Sequence, residues 1–169
     1  MSNMQITNRM EGISTNKMSI TYYTDKERIG NLGELLVVEF LGGIQSTNKY
    51  DTTGDICIGS DMVEVKTQNR HPTNGTFTIN RNHTTNLIKC MKVGRLIFVE
   101  YDATDTVKIW ECVDRDNFIE FTTRPTFKLP YGLNMLGWPI SKMKLLHEVN
   151  RPKLAFQMRS LSSSAVFKK

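Results

Sequence analysis

Apolar residues recur at helical spacing from Ile29 through Leu32 and Leu36 to Phe40, and Gly42-Gly43 supplies a stop, which predicts a helix over residues 25–41. Thr24-Asp25-Lys26-Glu27 opens it as a capping box, the Thr24 hydroxyl and the Glu27 carboxylate satisfying free backbone donors at the helix start. Downstream the repeat shortens to that of strands. Residues 44–50 read as a short edge strand, Asp51-Thr52-Thr53-Gly54 as a turn, and 55–58 as a strand that reverses at Gly59-Ser60-Asp61. The return strand, 62–68, puts Val63 and Val65 on the core face and Met62, Glu64, Lys66 and Gln68 on the other. A third strand is predicted at 76–79, a helix at 82–92 with Leu87, Ile88 and Met91 as its stripe, and strands at 96–101 and 107–113. Past Phe118 the signals fade, because Pro125, Pro130 and Pro139 interrupt the chain. Residues 141–149 predict a last helix, and Ser162-Ser163-Ser164 reads as a tail. This order predicts an α/β fold with a mixed central sheet flanked by helices.

The length of 169 residues suits one domain, divided into an arm over 1–20 rich in Met, Asn, Ser and Thr, a core over 21–118, and a C-terminal extension over 119–169. Hydrophobic residues at 39% exclude a wholly disordered chain. No apolar run reaches the roughly 18 residues of a membrane span, and Met1 to Lys17 lacks the apolar stretch of a secretory signal. Cys57, Cys90 and Cys112 are scattered, with no CxxC pair. A cytoplasmic protein without membrane partners is the expectation.

Charge changes the picture at the C-terminus. Lys142, Lys144, Arg151, Lys153, Arg159, Lys168 and Lys169 face only Glu148 there, a balance that points to a polyanionic partner.

The chemistry lies in Gly54-Asp55-Ile56-Cys57-Ile58-Gly59-Ser60-Asp61-Met62-Val63-Glu64-Val65-Lys66. A turn at Gly59-Ser60 sets Asp55 opposite Glu64. A turn at Ser60-Asp61 sets Asp55 opposite Lys66 and Cys57 opposite Glu64. In both registers Asp55, Glu64 and Lys66 share a face, where cross-strand Cβ atoms lie about 4.5–5.5 Å apart. Two carboxylates there can hold one hard cation with an ammonium beside it, the groups that phosphodiester hydrolysis uses.

This stretch resembles the PD-(D/E)XK nuclease superfamily. Asp55 stands at the family's first aspartate, Glu64-Val65-Lys66 matches the (D/E)XK element, and Gly54 replaces the proline of the name. Gly30-Asn31-Leu32-Gly33-Glu34 is similar to the family's helix-borne glutamate segment, with Gly30 and Gly33 allowing close approach to the sheet. Gln68 matches a polar position after the motif. The resemblance runs from Glu27 to Tyr101 and implies a restriction-endonuclease-like core of α-β-β-β-α-β order. It further implies a Mg²⁺-dependent DNA endonuclease in which Mn²⁺ substitutes. Asp55, Glu64 and the Val65 carbonyl would hold the ion, Glu34 would assist directly or through water, and Lys66 and Gln68 would complete the catalytic set. Double-stranded or branched DNA is the expected partner, contacted by Arg70, Arg81, Lys142, Lys144, Arg151, Lys153 and Arg159, and the expected assembly is a homodimer or homotetramer.

Family members of this size include restriction enzymes, homing endonucleases and Holliday-junction resolvases. A sequence-specific, homing-like cutter is the preferred reading, a resolvase the alternative, and a catalytically silent nucleic-acid-binding module the rival of another class. His71-Pro72 lies in a loop near the site, whereas Tyr22-Tyr23 and Trp110 offer rings for stacking on bases.

Overall fold

The computed structural model describes residues 25–47, 53–80, 89–102, 104–123 and 135–166. Helix α1 spans Asp25–Leu41. Its buried face holds Ile29, Leu32 and Leu36 as expected, widened by Leu35 and Val37. The Gly42 N–H closes back on the Val38 carbonyl at 2.9 Å, and Gly42 and Gly43 both take positive φ, which ends the helix. Thr24 of the expected capping box lies outside the described residues, as do the arm over 1–20 and the positions 82–88 of the expected second helix. Residues 89–92 are helical.

Strands β1 (Ile44–Gln45), β2 (Ile56–Ile58), β3 (Asp61–Thr67), β5 (Arg95–Glu100), β6 (Thr106–Cys112) and β8 (Met143–Asn150) form one sheet in the order β1-β2-β3-β5-β6-β8. Only the β3–β5 pair is parallel among these; the others are antiparallel, so the sheet is mixed. Both of its faces are covered. Val63, Val65, Ile97, Val99, Val107 and Ile109 pack under α1 and helix α3 (Pro152–Val166). Leu96, Phe98 and Cys112 face the other way, against Phe77, Cys90, Phe118 and Trp138. That second layer is built from strands β4 (Thr76–Asn80) and β7 (Met135–Pro139), the turn at 89–92 and helix α2 (Arg115–Thr123). Phe77 stacks on Phe98 at 4.5 Å, and Phe118 meets Trp138 edge-on at 5.1 Å. With apolar residues on both faces, β5 reads as the continuous run Leu96-Ile97-Phe98-Val99.

Four expectations are corrected. The strand at 76–80 does not join the central sheet but pairs with β7, Thr76 opposite Pro139. Residues 143–150 are strand β8, not the last helix expected over 141–149. A bulge explains the false period: Ile109 pairs with His147 and Trp110 with Leu145, so Leu146 is extra, and Leu146 and Val149 reach the same core three residues apart. The serine-rich tail is instead the end of α3, whose Leu154, Ala155, Met158 and Leu161 form a stripe against the α1 side. Gly30 has open space around it and is not the point of close approach.

Residues beyond 118 therefore supply a sheet edge, the end of α2, the whole of α3 and half of the small sheet. No described helix is long and apolar enough to cross a membrane.

Candidate active site

The hairpin β2–β3 pairs Ile56 with Val63, Cys57 with Met62 and Ile58 with Asp61, which leaves Gly59-Ser60 as the turn. Of the two registers open from sequence, this is the one that sets Asp55 opposite Glu64. The Asp55 N–H donates to the Val63 carbonyl at 2.8 Å, and Asp55 Oδ2 accepts the Val65 N–H at 2.8 Å, so the carboxylate is fixed against the β3 backbone. Glu64 projects away from Val63 and Val65 and would be solvated on a one-layer sheet. The second layer covers it, and it is 1% exposed.

Two ammoniums meet these acids. Lys66 donates to Glu64 Oε1. Lys89, from the turn at 89–92, donates to Asp55 Oδ1 at 2.7 Å and lies 2.9 Å from Glu64 Oε2, with its side chain 11% exposed. Oε2 is buried and, although the Lys89 charge faces it, receives no well-directed hydrogen bond. Glu34 approaches from α1, where Gln45 of β1 donates to Glu34 Oε2 at 2.6 Å and to Asn31 Oδ1 at 2.9 Å. Gly33 makes this approach possible, since a Cβ there would lie 1.8 Å from Thr67 Oγ1 on β3.

The electrostatics follow from enclosure. Burial, then the Asp55 charge, pushes the Glu34 carboxyl up to about 8, against the Gln45 hydrogen bond, which lowers it. Burial also raises Glu64, with Lys66 opposing and Asp55 adding. For Lys66 and Lys89 burial works against the charged form, but Glu64 at the first and Asp55 at the second leave both raised. Burial pushes the neighbouring Cys90 thiol up to about 11, which keeps it neutral and excludes it as a thiolate nucleophile near neutral pH.

A pH prediction follows. The unfolded Glu34 carboxyl loses its proton near its ordinary 4.5, whereas the folded one keeps it to about 8. Its contribution to stability is therefore complete below 4.5 and is lost as pH rises through 8. Glu64 acts in the same direction, and the lysine contributions persist across this window because both folded values lie above 10.5. In EDTA the melting temperature should fall between about pH 5 and pH 8.5, and Glu34→Gln should flatten that fall. An unchanged slope in the variant would remove Glu34 as its source.

The remaining expected residues are placed differently. Gln68 gives its amide to β4, donating to the Thr78 carbonyl at 3.0 Å and accepting the Thr78 N–H at 2.8 Å, which ties the two sheets together. Arg70 donates through Nε to Glu100 at 2.5 Å, and Glu100 also accepts the Trp110 indole N–H at 2.9 Å, which holds that ring in place. Arg70 and His71 border a cavity of about 340 Å³ with Asn69, Pro72, Gly75, Glu100 and Asp102. Arg81 lies outside the described residues.

The C-terminal basic residues do not gather at the acids, because β8 is three strands from β3, about 14 Å across the sheet. Arg151 pairs with Glu39 of α1 and lies 5.8 Å over the Phe40 ring. Arg159 donates to the Thr104 and Asp102 carbonyls and faces Asp105 at 3.8 Å. Both thus brace α3 against the body, with their side chains 24% and 30% exposed. Lys142 lies 5.3 Å over the Trp138 ring. Lys144 and Lys153 are exposed.

Sequence reasoning missed Lys89 and Gln45. Lys89 occurs in a stretch read only for its apolar stripe, and Gln45 in an edge strand with no motif. A polar residue two positions after the glycine stop of α1 was the available signal for Gln45.

Among the described residues no group of three or more His, Cys, Asp and Glu side chains is placed to hold a metal ion. The acids close instead on Lys66 and Lys89. No family model, curated protein or solved structure matches this chain.

Proposed function

We propose that this protein is a divalent-metal-dependent DNA endonuclease on a restriction-endonuclease-like core. The observation that carries the reading is the β2–β3 register, which sets Asp55 opposite a buried Glu64 with Lys66 on the same face. The order of α1, an antiparallel β1-β2-β3 run, helical residues 89–92 and a strand β5 parallel to β3 accords with the α-β-β-β-α-β core, with β4 as an excursion from it.

The residues fit Mg²⁺ or Mn²⁺. Glu64 Oε2 is a buried oxygen without a well-directed donor, and one or two carboxylates completed by substrate phosphate and water are a usual Mg²⁺ set. Asp55 and Glu64 would hold the ion, with the Val65 carbonyl beside them and Glu34 reaching it directly or through water. When bound, the ion polarises a phosphoryl oxygen and makes water a stronger nucleophile.

The chain's own groups do the rest. The Asp55 carboxylate is pre-positioned by the Val65 N–H, which lowers the reorganisation needed when a phosphate arrives. The Lys66 ammonium stabilises negative charge developing on the phosphoryl group, and the Glu34 carboxyl can hold or release a proton near neutral pH.

Supercoiled plasmid, a four-way DNA junction and an RNA duplex, each incubated with Mg²⁺ or EDTA, test the reading. Nicking or linearisation of plasmid in Mg²⁺ and none in EDTA is expected. Discrete plasmid fragments would mark a sequence-specific cutter, and faster junction cleavage a resolvase. Binding of DNA with no hydrolysis of any substrate in Mg²⁺ or Mn²⁺ would leave a silent binding module.

A further inference from the structure

The Asp55–Glu64 pair carries its own cation. Lys89 Nζ lies 2.7 Å from Asp55 Oδ1 and 2.9 Å from Glu64 Oε2, so one ammonium bridges one oxygen of each acid. Those two oxygens are the pair's facing atoms: Asp55 Oδ2 is taken by the Val65 N–H and Glu64 Oε1 by Lys66. A divalent ion shared by the two carboxylates would need the same two oxygens, at about 2.0–2.1 Å for Mg²⁺. Two cations cannot share them, because the ammonium would then lie in the ion's coordination shell with its positive charge turned toward it.

Lys66 is in a different position. It holds one oxygen of one acid, from the same strand as Glu64, and leaves the bridging place open. Lys89 comes from another element, the turn at 89–92, and is enclosed to 11% exposure.

We propose that Lys89 is a built-in counter-ion of the metal site, which a divalent cation must displace in order to bind. It rests on the proposed reading in one respect, that Asp55 and Glu64 are the ion's ligands. Two consequences follow. Without metal, Lys89 balances the acids and holds the turn at 89–92 against the β2–β3 hairpin. With metal, Lys89 leaves, and the measured affinity is weaker than the bare carboxylate pair would give, by the fraction of molecules in which the lysine is out. The site thus favours a divalent ion, whose charge exceeds the ammonium's, over a monovalent one.

The experiment combines Mn²⁺ titration calorimetry with amine labelling of the full chain. Lys89→Met keeps the side chain's bulk without its charge and should bind Mn²⁺ at least about tenfold more tightly than the parent. Lys89→Arg restores a cation and should return the affinity toward that of the parent. In the parent, saturating Mn²⁺ should raise acylation of Lys89, read by mass spectrometry, several-fold over the EDTA-treated protein.

Equal or weaker Mn²⁺ binding by Lys89→Met, beside clear binding by the parent, would overturn the counter-ion proposal and leave the nuclease reading standing. Absence of Mn²⁺ binding from both proteins would overturn both. Should Lys89→Met fail to fold, labelling decides on the parent alone: Lys89 acylation that does not change at Mn²⁺ saturation overturns the proposal.

Discussion

Glu64→Gln is expected to lower Mg²⁺-dependent DNA cleavage by at least about 10³-fold while the protein stays folded. The exchange keeps shape and one carbonyl oxygen, so Lys66 retains an acceptor, but it removes the charge on which both lysines converge and one of the two facing oxygens. The side chain is 1% exposed, so water cannot replace the lost charge at that position. Some stability is lost as well, because removing one partner of a buried ion cluster leaves the others under-compensated. That loss is limited, since the Lys66 side chain is 22% exposed and can turn toward solvent. Circular dichroism, DNA affinity in Ca²⁺ and cleavage rate separate the effects: near-native spectrum and affinity with no cleavage is the expected triple. Cleavage within tenfold of the parent, in a variant shown to be folded, would remove Glu64 from the chemistry and with it the motif reading.

The parts of this fold legible in sequence are those whose burial is decided locally. Helix α1 has one apolar face, strand β5 is apolar throughout, and the β2–β3 hairpin is bounded by turn residues, so each announces itself. Strand β8 does not, because the bulge at Leu146 lets two core residues fall three apart, as they would on a helix. Strand β4 looks the same whether it joins the large sheet or a small one, and its partner β7 arrives only at Met135–Pro139.

The candidate site divides in the same way. Asp55, Glu64 and Lys66 share a face by strand alternation and could be grouped without a structure, whereas Glu34 came from the family resemblance. Lys89 could not be placed by either route, because its position depends on a chain excursion through β4 returning across the hairpin. The basic residues show the limit of counting charge: Arg151 and Arg159 raise the net charge of the C-terminal stretch, yet Glu39, Asp105 and backbone carbonyls use them to fasten α3.

Gly33→Ala is expected to destabilise the protein by about 1–3 kcal/mol and to slow cleavage together with it, although alanine is the better helix former. The helix gains about 1 kcal/mol from the exchange, while the contact loses more. A Cβ on Gly33 would lie 1.8 Å from Thr67 Oγ1, 3.0 Å from its Cβ and 3.1 Å from its Cγ2. Rotating Thr67 can turn its Cβ hydrogen toward the new methyl, but it leaves the Thr67 Cβ itself at 3.0 Å, tighter than ordinary contact. Strand β3 is paired on both sides, to β2 and β5, so the helix must move away from it. Glu34 follows Gly33 directly and would be carried off the acids, which is why activity falls with packing. Two companions make the claim testable. Gly30→Ala, with nothing within 4 Å, should be neutral or stabilising by up to about 1 kcal/mol. Thr67→Ala removes both branches, one of them a buried hydroxyl with no hydrogen-bond partner, and should recover most of the stability and cleavage lost in Gly33→Ala. If Gly33→Ala melts with Gly30→Ala, the close packing of α1 on β3 is wrong. If stability falls and cleavage does not, α1 packs there but Glu34 takes no part in the site.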